Sequence, residues 1–474
     1  MIHVLEGYRG EWAEQEIKVS ISWLNDRLEG AGSTPSRTGS AMTTRPHLHE
    51  TGWAFADDGG VEVAFTKFLR SLTTTPRLLG FGEPMHGEEA FPRLRNRLFR
   101  HLAEHEGYRS IAIESDYVAG LEVDEFVARG VGSLDDVMRR GFSHGLGESA
   151  ADRELVHWMR EYNQDRPAAD RLRFFGFDAP IEMTGAAGPR SVLTALHGYL
   201  ADHVDADLIP CSLDTIDRLT GDDERWTAPE AIMDPSRSVG SSADVSELRL
   251  ITDDLLTLLV SESPRLVSAT SRDDWWQACL FGRTAAGLLR YHTVMADPSA
   301  SRVVRLMGLR DTMMADNLGA IVESQAQRGH TLVFAHNRHL QKDKSRWTLP
   351  PGWGSLEGRT LEWWSAGAIV SAQLGDQYAF VASALGAARG QGLNVPRADT
   401  LEGVLSTLPE NRYVIDSARL ATALDGMGTE LALRTDDSVN YDYFALDPDH
   451  LKETDGVVFI RDIAASSPHT PAAD

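Results

Sequence analysis

Cysteine is scarce in this sequence. Only Cys211 and Cys279 occur among 474 residues, and neither belongs to a CxxC pair. A disulfide framework and a thiolate zinc site are therefore excluded, and a reducing compartment is expected. The sequence also has no apolar run long enough to span a membrane and no N-terminal secretory signal. We therefore expect a cytoplasmic protein without a membrane partner.

Basic residues are also fewer than acidic residues. The sequence has 46 basic and 70 acidic residues, which gives a formal net charge of −24. Such a surface repels phosphate backbones, so nucleic acid is not an expected partner. A Walker A loop, a GxGxxG turn and a GxSxG nucleophile elbow are all missing. The sequence thus gives no support to nucleotide binding or to a Ser-His-Asp mechanism.

The two ends of the chain differ from its middle. Residues 1–50 combine a preface of ambiguous periodicity with a linker rich in Gly, Ser, Thr and Pro, in which Met42 could be an alternative start. We expect residues 1–40 to be dispensable for the folded core. The tail, residues 466–474, has the composition of a disordered segment.

Short apolar runs alternate with amphipathic segments between these ends. Runs typical of buried strands occupy residues 77–82, 109–115, 172–178, 330–337 and 377–383, with further candidates at 412–417 and 456–462. Continuous apolar strands separated by helices predict an α/β fold, with a mainly parallel central sheet flanked by helices.

Residues 186–327 follow a different pattern. Apolar side chains recur there at three- and four-residue spacing, which predicts helices. We interpret this stretch as a helical insertion or cap, which divides the α/β core into residues 51–185 and 328–465. Caps in this position commonly form one wall of a substrate cleft.

Ionisable side chains stand at the ends of three predicted strands. Glu83 and His86 follow the first strand run, and Glu114 ends the second. His336 and His339 lie at the end of the fourth. Because the carboxyl ends of parallel strands meet at one edge of a sheet, where ligands bind, we predict that these residues form one catalytic centre.

Structural roles are the alternatives for these side chains. Glu114 could form a salt bridge with Arg95 or Arg97 of the preceding helical segment. His336 and His339 could cap the segment that follows them. The joint occurrence of acids and imidazoles at three strand ends favours the functional interpretation.

Other polar residues give weaker signals. His144 lies in a glycine-flanked loop and is predicted to take part in substrate binding. Asp178 could equally line the same sheet edge or cap the next helix. Arg310 and Asp311 begin a helical run, and Asn317 lies two turns further on; we interpret these residues as a solvated helix face.

The predicted cap carries aromatic residues that could line a cleft for a bulky, largely apolar substrate. Trp275, Trp276 and Phe281 are the candidates, and the first two are predicted to bind substrate. For any single one of them, packing between cap helices is the more common role.

The block GEPMHGEEAFPRLRNRLFRHLAEHEGYRSIAIESD at residues 82–116 resembles the signature of the erythromycin esterase family. The segments FGFD, RDTMMADN and AHNRH occur later in the same order as in that family. The resemblance extends over roughly residues 50–465. It implies a hydrolase with a parallel sheet and helical additions, whose best-known members cleave a macrolide lactone. It also implies that the cleft is lined by Glu83, His86, Arg95, Glu114, His336 and His339.

Hydrolysis of an ester requires an activated water, a stabilised oxyanion and a proton for the leaving alcohol. His86 is the predicted general base, because an imidazole titrates near neutral pH. Glu83 or Glu114 would orient it, as a carboxylate does in a catalytic triad.

The oxyanion would be held by a protonated His336 or His339 together with Arg95. The five histidine and glutamate residues could instead bind a divalent metal such as Zn²⁺ or Mn²⁺. The metal-free site is favoured because it needs no complete ligand shell.

The predicted function is thus the hydrolysis of an ester or lactone bond in a small-molecule substrate, such as a macrolide or another bulky natural product. Antibiotic resistance or secondary metabolism would be its setting. Two alternatives remain, namely a metal-dependent peptidase or natural-product-processing lyase on the same scaffold, and a non-catalytic small-molecule binding protein. No feature of the sequence predicts an oligomeric state.

Overall fold

A computed structural model describes residues 48–56, 60–182, 185–349, 356–428, 430–435 and 443–463. The predictions for residues 1–40, for Met42 and for the tail at 466–474 lie outside the described residues. Within the described part of the chain, no helix is both long and apolar enough to cross a membrane.

The secondary structure alternates strands with helices, as the sequence predicts. The strands are β1 (Gly52–Ala54), β2 (Leu78–Glu83), β3 (Tyr108–Asp116), β4 (Arg173–Asp178), β5 (Ile181–Glu182), β6 (Gly185–Ala186), β7 (His330–His336), β8 (Lys344–Thr348), β9 (Thr360–Trp364), β10 (Tyr378–Ala387), β11 (Arg412–Asp416) and β12 (Gly456–Asp462). The helices are α1 (Val61–Ser71), α2 (Ala90–His105), α3 (Tyr117–Arg129), α4 (Leu134–Arg140), α5 (Ala150–Asn163), α6 (Arg190–His203), α7 (Leu213–Thr220), α8 (Ala243–Ser261), α9 (Ser263–Ala269), α10 (Arg272–Met295), α11 (Arg302–Ser324), α12 (Asn337–Leu340), α13 (Ala366–Leu374), α14 (Leu401–Leu405) and α15 (Ser417–Asp425).

The central sheet has eight strands in the order β1-β11-β12-β10-β2-β7-β3-β4. The six strands from β12 to β4 are parallel to one another. Strands β11 and β1 add an antiparallel edge, a mixture common in large sheets. The predicted α/β class with a mainly parallel central sheet is confirmed, and each predicted strand run is a strand.

The strands appear in the sequence as continuous apolar runs because both faces of the sheet are covered. Successive side chains of one strand enter different hydrophobic clusters. In β2, Leu78 packs with the helices on one face, while Leu79 and Phe81 pack on the other. Such double-sided burial is the usual setting of parallel strands.

The insertion between β4 and β7 contains the hairpin β5–β6 and helices α6–α11. We call this whole insertion the cap. The cap has its own hydrophobic cluster, which includes Leu196, Leu255 and Leu288. Helix α11 joins the two parts, because Met313 packs in the cap cluster and the adjacent Met314 packs against the sheet. The helical insertion is confirmed, whereas its boundaries as a domain stay a prediction.

Asn337 ties the end of β7 to β10 across the intervening strand β2. Its side-chain amide donates to the Ser383 carbonyl at 2.7 Å and accepts from the Ser383 backbone N–H at 3.1 Å. The amide passes directly over Gly82, where an added Cβ would lie 2.2 Å from Asn337 Oδ1. Glycine at this position therefore permits the crossing.

We expect Gly82→Ala to destabilise the protein by about 1–3 kcal/mol, because the methyl group would displace a buried, doubly bonded amide. Chemical denaturation would measure the change. Gly198→Ala is the matched control, since it lies inside α6 and an added Cβ meets nothing within 4 Å. The control should be neutral or stabilising by up to about 1 kcal/mol. Equal stability of the two variants would contradict the close approach.

Candidate active site

The carboxyl ends of β2, β7, β3 and β4 bring ionisable residues to one edge of the sheet. Glu83 ends β2 and is paired in register with His336 at the end of β7. Glu114 lies near the end of β3, and Asp178 ends β4. These strands are neighbours in the sheet, so their terminal side chains share one site.

His86 lies in the turn that follows β2. Its Nδ1 is 2.7 Å from Glu83 Oε1. The Glu83 side chain is 6% exposed and the His86 side chain is 45% exposed. A buried carboxylate thus holds one nitrogen of an imidazole whose other side faces the cleft.

Glu114 is the buried centre of the site. Its Oε1 lies 3.4 Å from His339 Nε2, 3.6 Å from Arg310 Nη2 and 4.0 Å from His86 Nε2. Its Oε2 accepts the backbone N–H of His336 at 2.8 Å. Burial acts to raise the pKa of Glu114, but the four basic neighbours together hold that pKa far below its usual range. The predicted alternative, a salt bridge with an arginine of α2, is wrong.

His336 lies beside His86, with the two ring centroids 5.0 Å apart. Phe444 also packs against His336, with 5.9 Å between the ring centroids. His336 Nδ1 accepts the backbone N–H of Arg338 at 3.2 Å and so caps α12. The capping interpretation therefore holds for His336, while its ring also lies in the site.

His339 is oriented from both sides. Its Nδ1 bonds Asp311 Oδ1 of helix α11, and its Nε2 faces Glu114. Asp311 is fully buried, and its second oxygen accepts the indole N–H of Trp363 in β9. The interpretation of this residue as part of a solvated helix face is wrong, because α11 lies between the cap and the sheet.

Arg310 connects the centre to a second group of charges. Its guanidinium lies 2.5 Å from Asp178 Oδ2 in addition to its contact with Glu114. Burial acts to raise the pKa of Asp178, but Arg310 and His144 hold that pKa below its ordinary range. Asp178 therefore lines the sheet edge, which was one of its two predicted roles. Asn317, two turns further along α11, is also buried and donates to the Phe177 carbonyl.

His144 bridges two carboxylates at the entrance to the cap. Its Nε2 is 3.0 Å from Asp178 Oδ2, and its Nδ1 is 2.7 Å from Glu182 Oε2 in the hairpin β5–β6. Burial acts to lower the pKa of His144, but the two carboxylates outweigh it and raise the pKa to about 9. His144 also has a left-handed backbone with φ 55°.

Arg95 does not reach the cleft. Its side chain is 1% exposed, forms a 2.8 Å ion pair with Asp152, and lies over the ring of Phe334. The structure therefore places this predicted oxyanion-binding arginine inside the packing between α2, α5 and the sheet. Arg310 is the arginine that lies at the site, and the sequence analysis missed its role.

The three aromatic residues predicted to line the cleft also lie away from the site. Trp275 donates its indole N–H to the Leu259 carbonyl and packs against Trp276. Phe281 is buried in the cap cluster. Tyr291 on the same helix interacts electrostatically with Arg310, and Trp275 lies 16 residues earlier, roughly 24 Å along the axis. Proximity thus does not support the predicted substrate contact of the tryptophan pair.

Among the described residues, no group of three or more His, Cys, Asp or Glu side chains has an arrangement that could hold a metal ion. The imidazoles and carboxylates of the site instead contact one another. Arg310 already places a positive charge near Glu114, which disfavours a divalent cation at the same carboxylate.

These features define an α/β protein with a histidine–carboxylate centre at the carboxyl edge of its sheet. Residues 103–463 match the erythromycin esterase family, and the chain belongs to that family. The matched range contains Glu114, His336 and His339 and begins after Glu83 and His86. A curated relative, erythromycin esterase type II of Escherichia coli, is 23% identical over 295 residues. The alignment covers 58% of this chain and 63% of the relative, so the chain spans less than two thirds of that relative's length.

Solved structures share the fold. A Bacillus cereus protein has a TM-score of 0.62 at 14% identity, with 87% of this chain and 95% of that chain covered. A succinoglycan biosynthesis protein has a TM-score of 0.60 at 15% identity, with 89% and 98% covered. A mutant of the erythromycin esterase EreC in its open conformation has a TM-score of 0.58 at 17% identity, with 83% and 92% covered.

The two arginines of α2 provide a test of the buried ion pair. We expect Arg95→Met to lower the free energy of unfolding by about 3–5 kcal/mol, because Asp152 would remain buried without its countercharge. Arg97→Met is the control, since Arg97 pairs with Glu62 near the surface. Its loss should stay within about 1 kcal/mol. Urea denaturation at pH 7 would measure both, and a small loss for Arg95→Met would contradict its structural role.

His144 should make stability depend on pH. Its pKa rises from an ordinary 6.5 to about 9 in the folded state. The contribution of His144 to the free energy of unfolding is therefore complete below pH 6.5 and is lost as the pH rises through 9. This contribution totals roughly 3 kcal/mol. His144→Asn keeps a residue that tolerates the left-handed backbone.

The measurement is the difference in unfolding free energy between wild type and His144→Asn from pH 6 to 10. The difference isolates His144 from Asp116, whose burial raises its pKa to about 7. A difference that is constant over this range would contradict a protonated His144.

Proposed function

We propose that the protein is a hydrolase that cleaves an ester or lactone bond by attack of a water molecule that His86 activates. One observation carries this proposal. His86 presents a half-exposed imidazole to the cleft while buried Glu83 holds its Nδ1 at 2.7 Å. That is the arrangement in which an imidazole acts as a general base.

Glu83 has a positioning role in this proposal. Its carboxylate accepts only, so the nitrogen of His86 that faces it carries the proton. Nε2 is then the atom that takes a proton from water, and Glu83 stabilises the imidazolium that forms. The same nitrogen later returns the proton to the leaving alcohol.

The developing negative charge on the carbonyl oxygen needs donors close by. We assign this role to Arg310 and His339, because both lie within 4 Å of Glu114 beside His86. Arg310 replaces Arg95 in this role, since Arg95 is buried in a separate ion pair. His336, whose ring lies 5.0 Å from that of His86, would orient the substrate carbonyl.

Membership in the erythromycin esterase family supports a hydrolase, and the name of the Escherichia coli relative suggests the substrate class. We propose a macrolide lactone or another bulky natural product as substrate. Carboxylates at the Nδ1 atoms of His86 and His339 are also a feature of histidines that bind metals. The experiment therefore includes a chelator, which tests whether activity depends on a metal.

The test is a panel of erythromycin, a simple lactone, p-nitrophenyl butyrate and a peptide, assayed with and without EDTA. Hydrolysis of a lactone or ester that EDTA does not affect supports the proposal. Peptide hydrolysis that EDTA abolishes would establish a metal-dependent peptidase instead. Binding of erythromycin without turnover would establish a binding protein.

We expect His86→Gln to lower kcat by at least about a hundredfold with an unchanged melting temperature, because the general base is lost at a partly exposed position. His157→Gln is the control, since His157 is exposed on α5 and pairs only with Glu161 along its own helix among the contacts described. Its activity should equal that of the wild type. Normal turnover by folded His86→Gln protein would contradict the assignment of the base.

A further inference from the structure

Asp311 is a carboxylate that the cap contributes to the site. It lies on helix α11 next to Arg310 and is fully buried. Consecutive residues of a helix point about 100° apart, so the two side chains reach different strands. Arg310 contacts Asp178 at the end of β4, and Asp311 contacts His339 after β7.

Both oxygens of Asp311 are engaged by donors from different elements. Oδ1 faces Nδ1 of His339, and Oδ2 accepts the indole N–H of Trp363. The tryptophan thereby fixes the carboxylate, and the carboxylate fixes the plane of the imidazole. A buried carboxylate bonded in this way accepts two hydrogen bonds and donates none.

The geometry has a consequence for the proton on His339. Because the nitrogen that faces Asp311 must donate, Nδ1 carries the hydrogen. Nε2 is consequently the nitrogen that exchanges a proton at the cleft, where it lies 3.4 Å from Glu114 Oε1. Without Asp311 the ring could rotate or adopt the other tautomer.

We propose that Asp311 is a positioning residue, which keeps a hydrogen on Nδ1 of His339 and directs Nε2 into the site. The catalytic part of this inference rests on the proposed hydrolase function. The positioning part concerns the unliganded protein and can be tested without any substrate. A comparable change in a Ser-His-Asp hydrolase, which replaces the aspartate by asparagine, lowers kcat by about 10⁴-fold.

The test compares Asp311→Asn with wild type. Nitrogen NMR of ¹⁵N-histidine-labelled protein, with the His339 signals assigned by His339→Gln, should show Nδ1–H in wild type and its loss in Asp311→Asn. With the most active ester or lactone of the substrate panel, kcat should fall by at least about a hundredfold. The pH profile of kcat/KM should also change shape.

Asn317→Ala is the matched control, because Asn317 is also buried on α11 but bonds the Phe177 carbonyl. It should lower the melting temperature and leave the His339 tautomer and the pH profile unchanged. If Asp311→Asn lowered only the melting temperature, the positioning role would be overturned.

The two proposals fail in different ways. If the wild type hydrolyses nothing in the panel but its His339 tautomer depends on Asp311, the hydrolase function fails and the positioning role stands. If the wild type is active and the tautomer does not depend on Asp311, the positioning role alone fails.

Discussion

The buried charge of Glu114 is the constraint on which the site depends. A carboxylate removed from water at the end of an interior strand is costly unless cationic groups and hydrogen-bond donors surround it. Arg310 supplies the cation, and the backbone N–H of His336 donates a hydrogen bond. The imidazoles of His339 and His86 lie 3.4 and 4.0 Å from the same carboxylate. Each of these groups comes from a different element, so one carboxylate fixes the relative positions of four segments. The organisation of the site follows from this single requirement.

The location of the site could be predicted because buried parallel strands appear in the sequence as short apolar runs. Each of these strands has an apolar middle, since both faces of the sheet are covered, and the apolar run ends near the carboxyl edge of the sheet. An ionisable residue at that point, such as Glu83, Glu114 or His336, therefore marks the carboxyl edge. Three such strands are neighbours in the sheet, and this adjacency brings the residues together.

The helical segments gave less information about which residues lie at the site. The apolar periodicity of α2 places Arg95 on the same face as Leu94 and Leu98, so its burial could be predicted from its position on the helix, whereas the family resemblance implied a place in the cleft. Arg310 and Asp311 are a different case. Their helix packs on the cap with one side and on the sheet with another, and a single sequence does not reveal that polar residues lie between two apolar surfaces.

The position of α11 also connects the cap to the chemistry. Met313 anchors this helix in the cap cluster and Met314 anchors it on the sheet, two and three residues after Asp311. Arg310 balances the charge of Glu114, and Asp311 holds His339, so two adjacent residues serve both halves of the site. A shift of α11 would remove the countercharge and the support of the imidazole together. The packing of the cap on the sheet is therefore part of the electrostatic structure of the site, and the cap is more than a cover over it.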